Sequence, residues 1–297
     1  MNKAHTIDIG TAIETQSGSW FSRLILILCC AAMMIEGYDV QVLAYAAPAI
    51  IRDWKIEHAY FGPVFGAALF GYMLGATLLS GVSDKIGRKK VIVLGNIFFG
   101  LLTVASAFAP TINVLLVLRF LAGLGLGCSI PSAIALAVEY AQEQHRSFRV
   151  SILFVGYTLG AALGGILTAA LIVNFGWQSA FFFGGFASLT LAVVLLFMLP
   201  ESARFLAVMG GRDREIAAIM RKLRPDFGID ASTRFTLAEH KAERGMRVKH
   251  LFLEGRALIT SLLWIAFITS LMGHHFLTSW LPTVLNTNGV PLAHFLR

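Results

Sequence analysis

Between two apolar runs the chain reads Gly81-Val82-Ser83-Asp84-Lys85-Ile86-Gly87-Arg88-Lys89-Lys90. The runs on either side, 60–82 and 90–109, each approach the roughly 20 apolar residues that a helix needs to cross a bilayer. The decapeptide is therefore a short connection between two spans. Gly87 supplies the tight backbone reversal, and the cations hold the connection on the cytoplasmic side. Asp84 can bind one of those cations or sit against a helix amino terminus. A loop that only sets topology would explain Lys85, Arg88, Lys89 and Lys90, but it would require neither Asp84 nor Gly87.

Stretches of the same kind recur outward from this connection, at 22–49, 112–138, 150–173, 177–199 and 257–285, which makes seven. Composition agrees. The 297 residues are 57% hydrophobic and 14% charged, whereas a soluble domain carries about a quarter charged residues. That balance excludes a soluble enzyme, a disulfide-rich secreted domain and a typical nucleic-acid binder. Cys29, Cys30 and Cys128 lie inside apolar runs without metal-ligand spacing and read as packing residues. The first run is too long for a secretory leader, and Glu36 and Asp39 interrupt it.

The net charge of +7 is a topology signal. Cations concentrate in the connection after the second span, in the one after the fourth (Arg146, Arg149), and in the long segment after the sixth. The remaining connections are balanced or nearly uncharged. By the positive-inside rule the basic connections and the amino terminus are cytoplasmic. The expected architecture is an all-α membrane protein. It has a cytoplasmic tail (1–21), a six-helix transmembrane bundle (22–200), a cytoplasmic linker (201–256), a seventh span (257–285) and a non-cytoplasmic tail (286–297). The linker mixes both charge signs and lacks a sizeable apolar core, so it reads as a solvated connector. Within it, Glu215 to Leu223 has the pattern of an amphipathic helix lying on the membrane face.

Ionisable residues inside a span are functional candidates, because leaving one unpaired at the bilayer centre costs at least about 2.5–3.5 kcal/mol. Glu36 and Asp39 stand at i and i+3 on the first helix, so their carboxylates project from nearly one face. Arg119 lies on the fourth helix. At about 1.5 Å per residue, Asp39 and Arg119 sit roughly 15 and 10 Å from the same membrane side, which permits an Arg–carboxylate pair. That pair either faces a cavity or fixes helix packing. Gly123, Gly125 and Gly127 follow Arg119 and allow close approach or bending. Gly156, Gly160 and Gly164 on the fifth helix form a doubled small-xxx-small pattern, read as helix packing. His274 and His275 on the seventh helix point about 100° apart, which favours polar cavity lining over a metal pair.

Taken together these residues resemble the major facilitator superfamily of secondary transporters. The family's G-x-x-x-D-[RK]-x-G-[RK]-[RK] pattern maps onto Ser80 through Lys89, with Ser80 in place of the opening glycine. Arg119 and Gly123 match its R-x-x-x-G, and Pro200-Glu201-Ser202-Ala203-Arg204-Phe205-Leu206 is similar to its P-E-S-P-R-x-L. Within the superfamily the chain looks like the aromatic acid:proton symporters. Their D-G-x-D becomes Glu36-Gly37-Tyr38-Asp39, and Pro131-Ser132-Ala133, Glu139-Tyr140 and Ser279-Trp280-Leu281-Pro282 are also similar to theirs.

The resemblance implies a proton-coupled symporter of small aromatic carboxylates such as hydroxybenzoates, resident in the cell inner membrane. Glu36 and Asp39 would carry the proton. Asp39, Arg119, Tyr38, His274, His275 and Trp280 would face the substrate. Asp84, Lys85, Gly87, Arg88, Lys89 and Glu139 would form the gate. The partners are an aromatic acid anion, a proton and membrane lipid; no cofactor, metal or nucleic acid is called for, and no enzymatic fingerprint stands out. Such transporters have twelve spans in two halves. Seven spans therefore imply that the second half is missing, or supplied by a second half-transporter or a homodimer. A carrier of sugars, aliphatic carboxylates or drugs, or a non-transporting binding half-transporter, remains the alternative.

Overall fold

A computed structural model describes residues 6–16, 18–226, 228–229, 233–237, 252 and 255–288. Strand β1 (Thr6–Asp8) leads into α1 (Ile9–Glu14), and α2 (Trp20–Trp54) is the first long helix. A 3-10 turn at His58–Phe61 opens α3 (Gly62–Leu74), which continues through a π-helical turn at Gly75–Leu79 and a 3-10 turn at Ser80–Val82. Then come α4 (Ser83–Ile86), α5 (Arg88–Ser106), α6 (Ile112–Glu139), α7 (Arg146–Phe175) and α8 (Trp177–Met198). Beyond them lie α9 (Ala203–Met209), α10 (Asp213–Leu223), strand β2 (Arg234–Thr236) and α11 (Ala257–Thr287). Among the described residues, seven helices are long and apolar enough to cross a membrane: α2, α3, α5, α6, α7, α8 and α11.

The spans run as the sequence indicates, with ends that differ. α2 passes Ala49 and takes in Arg52 and Asp53, residues expected in the connection. It ends where Lys55 adopts a left-handed φ of 53° and its N–H returns to the Ile51 carbonyl. The extension has a cause on the neighbouring helix: the Trp177 indole N–H donates to Asp53 at 3.1 Å. Pro48 removes one backbone rung inside α2.

Small residues set which helices meet. α2 packs chiefly on α7, α3 on α6, and α5 on both α6 and α8. A Cβ at Gly160 would run into the Met34 backbone, and one at Gly156 into Cys30. The α3–α6 contact is reciprocal. Gly71 and Gly75 face the backbone at Phe120 and Leu124, while Gly123 and Gly127 face Ala68 and Tyr72. The glycines after Arg119 thus serve close approach.

The described parts of the amino-terminal tail and of the linker pack together and on the bundle, where a solvated connector was expected. β1 pairs in parallel with β2, Thr6 opposite Arg234. Ile9 and Ile13 of α1 are buried with Phe21, Leu206, Ile216, Met220 and Leu223 in one cluster. α10, anticipated from residue 215, begins at Asp213, and its apolar face packs on the bundle and on α1 instead of lying on the membrane. Burial of each large side chain there contributes about 1.5–3 kcal/mol, which a solvated connector would forgo. Much of the remaining linker (residue 227, 230–232, 238–251, 253–254) and of the tail (289–297) lies outside the described residues.

Candidate functional site

Two constellations of the expected residues form, one midway along the bundle and one at its basic end. In the first, the Arg119 guanidinium donates to Asp39 at 2.9 Å. Its other terminal nitrogen donates to Thr103 Oγ1 at 3.1 Å and Ser106 Oγ at 2.9 Å, both on α5. The guanidinium carbon lies 5.3 Å from the centre of the Phe181 ring on α8. Arg119 is 1% exposed. It is held by side chains of two helices and by the ring face of a third, an arrangement that suits a planar, multi-donor cation in a dry site. The Asp39 side chain keeps 18% of its surface, and that surface looks into a cavity.

The cavity encloses about 560 Å³, within the range of small-molecule sites. Glu36 and Asp39 line it together with Tyr72 of α3, Tyr157 of α7, and His274 and His275 of α11. Apolar walls come from Met33, Leu126, Ile130 and Phe154, among others. Tyr72 shares the cavity wall with Glu36. The two histidine rings lie 5.5 Å apart, edge to face, and both border the cavity. Of the residues expected to face a substrate, Arg119 sits behind Asp39. Tyr38 points away, donating to the Ala180 carbonyl at 3.0 Å and leaning on Phe183. Trp280 packs on Phe65 at 5.6 Å. Tyr72 and Tyr157 were not singled out in the sequence; the only available signal was tyrosine among small residues on two spans.

The basic end is held by a network. Arg88 pairs with Glu139 Oε1 at 2.5 Å, and Ser202 Oγ donates to Glu139 Oε2 at 2.6 Å. Glu201 Oε1 accepts the Lys89 N–H at 3.0 Å and the Ser202 N–H at 2.9 Å. Its carboxylate thus caps the amino terminus of α5, where negative charge is favoured. The Tyr140 hydroxyl donates to the Glu201 carbonyl at 2.7 Å and accepts the Ala203 N–H at 3.2 Å. Burial pushes the Tyr140 phenol above its ordinary range, so it stays a neutral donor. Gly87 has a φ of 105°, and a Cβ there would collide with the Glu201 carboxylate. Asp84 and Lys85 are exposed and belong to none of the four ion pairs found among the described residues. The carboxylates that tie this end together are Glu139 and Glu201. The Major Facilitator Superfamily model matches residues 29–296.

The chain belongs to the major facilitator superfamily.

Relatives and solved structures of the superfamily agree. The chain is 37% identical to a gallate transporter of Pseudomonas putida, over 96% of this chain and 63% of that protein. It is 36% identical to the 4-hydroxybenzoate transporter PcaK of Acinetobacter baylyi, over 97% of this chain and 63% of that protein. It is therefore a chain that spans somewhat under two thirds of the length of these relatives. Among solved structures, the xylose transporter XylE from E. coli in a partially occluded inward-open conformation aligns with a TM-score of 0.69. That alignment covers 93% of this chain and 69% of XylE at 17% identity. A bacterial homologue of the lysosomal transporter Spinster aligns with a TM-score of 0.70 over 95% of this chain and 59% of its own, at 18% identity. These likenesses concern the fold.

Proposed function

We propose that the protein is a proton-coupled symporter of small aromatic carboxylates, working by alternating access in the cell inner membrane with its amino terminus and basic connections cytoplasmic. The observation that carries the reading is the Asp39–Arg119 pair, with Asp39 open to a cavity and Arg119 sealed behind it. Removing one partner of a buried ion pair leaves an uncompensated charge, at a cost of about 3–5 kcal/mol. Protonation of Asp39 does this to Arg119. An aromatic carboxylate entering the cavity restores a negative charge near Asp39, so proton and anion favour each other's binding. One proton with one monoanion moves no net charge. Glu36 stands one turn from Asp39 on α2 and lines the same cavity, so in this reading the proton belongs to the two carboxyls together rather than to either alone. The apolar walls suit an aromatic ring, and His274 and His275 supply polar contacts.

The kinship with gallate and 4-hydroxybenzoate transporters supports an aromatic acid over a sugar or drug. In this reading residues 22–200 are one six-helix bundle, 201–256 the cytoplasmic linker and 257–285 a seventh span. Alternating access rocks one bundle against another, so the opposing wall comes from a second bundle, in a complementary half or another copy. The test is uptake of labelled 4-hydroxybenzoate by membrane vesicles carrying the whole protein. Accumulation should follow an imposed proton gradient and collapse when a protonophore is added. Accumulation indifferent to the gradient would refute symport, and labelled xylose taken up in preference would refute the substrate class.

A further inference from the structure

A second cavity of about 500 Å³ opens at the basic end, between the end of α8, the start of α5 and α10. Its floor is apolar, built from Phe21, Leu196, Leu199 and Ile219, and Lys89, Lys90, Arg212 and Lys222 stand on its rim. The two carboxylates beside it are engaged. Glu201 accepts two backbone N–H groups, and Glu215 pairs with Arg212 at 2.7 Å. Lys89, Lys90 and Lys222 belong to none of the ion pairs found among the described residues. Lys222 is steadied over the Phe21 ring, its Nζ 5.7 Å from the centroid. Beside the rim, Phe197 and Met198 are 79% and 47% exposed at the very end of α8, where a span leaves the hydrocarbon.

The geometry points to a binding site for one anionic glycerophospholipid, with its phosphodiester between Lys90 and Lys222 and its acyl chains descending past Phe197 and Met198. Charge decides the occupant. A zwitterionic choline lipid brings a cation into a rim where four cations, Lys89, Lys90, Arg212 and Lys222, already face only two carboxylates, Glu201 and Glu215. A glycerol headgroup brings only the phosphate charge and hydroxyls. Basic pockets between spans on the cytoplasmic side suit such headgroups, and each lysine near the surface favours an anionic lipid about fivefold. The site also joins α10, which belongs to no span, to α5 and α8, so a bound lipid ties the linker to the bundle. This inference needs the basic end to face the bilayer surface and is independent of what the central cavity carries.

The test is native mass spectrometry of the detergent-purified chain, without substrate, titrated with phosphatidylglycerol or phosphatidylcholine. The parent should prefer phosphatidylglycerol by about twenty-five-fold, from two lysines at roughly fivefold each. The double variant Lys90→Gln with Lys222→Gln should lose that preference, and Lys90→Arg with Lys222→Arg should keep it. Both sites are exposed, and elution as a single symmetric species checks that the variants fold. Three outcomes would overturn the site: no preference in the parent, an undiminished preference in the glutamine variant, or displacement of bound lipid by millimolar inorganic phosphate. Failure of aromatic acid transport would leave all of these readings intact.

Discussion

Arg88, the first residue of α5, and Glu139, the last of α6, form an ion pair at the basic end, and the side chains are only 20% and 10% exposed. Glu139 is shared with Ser202, which in turn caps α9 through the Phe205 N–H at 3.0 Å. One carboxylate therefore ties the second-to-third connection to the end of the fourth span and to the start of the linker.

Glu139→Gln should weaken that tie by about 1.5–3 kcal/mol, the range for a hydrogen bond to a charged group. Amide hydrogen exchange at the start of α5 should accelerate roughly tenfold or more. Exchanging the charges, Arg88→Glu with Glu139→Arg, should restore part of the protection. Asp84→Asn should have a smaller effect, since Asp84 is exposed and outside the ion pairs. Equal effects of the two single variants would show that Glu139 is not the anchor.

Asp39→Asn should abolish proton-driven accumulation, because an amide neither takes up nor releases a proton in this range. Exchange of labelled for unlabelled substrate should persist if the cavity is intact. Parallel assays of gradient-driven uptake and counterflow separate these outcomes, and gradient-driven uptake at the parental level would remove Asp39 from the coupling step.

Gly160→Leu should destabilise the α2–α7 contact by at least about 1–3 kcal/mol, as overpacking does, because its Cβ would meet the Met34 backbone. Gly66→Ala is the matched control. A Cβ at Gly66 meets nothing within 4 Å, and alanine favours helix by about 0.8–1 kcal/mol over glycine. Thermal unfolding in one detergent should rank Gly66→Ala at or above the parent and Gly160→Leu well below it.

Tyr38→Phe should cost about 1 kcal/mol of stability, the usual worth of one hydrogen bond, through the lost donation to the Ala180 carbonyl. Substrate affinity should be unchanged, since the hydroxyl faces α8 rather than the cavity. A large rise in the concentration needed for half-maximal uptake would place Tyr38 in the site after all.

The spans were legible because bilayer thickness imposes a length on apolar runs, and the cation distribution orders their ends. The meeting of Asp39 and Arg119 followed from two depth estimates on antiparallel helices. The direction in which each side chain points did not follow. Tyr38 adjoins Asp39 in sequence yet turns to α8, and Tyr72 enters the cavity from a helix whose pattern is nearly all apolar and small. The fold of the basic end was also hidden. Glu201 reaches Lys89 across more than a hundred residues of chain, and α1 finds its apolar partners on α10. Short polar segments carry no period long enough to reveal such contacts.

The parallel pairing of Thr6–Asp8 with Arg234–Thr236 has a consequence for biosynthesis. Roughly 230 residues separate the partners, and synthesis at about 5–20 residues per second puts tens of seconds between their appearances. Residues 6–8 leave the ribosome well before their partners and must wait, unpaired, while six spans are threaded into the bilayer. Its docking then records that the sixth has arrived. A protease site placed before Thr6 would be cut readily on nascent chains arrested short of residue 236 and slowly on longer ones, giving a clock for completion of the bundle.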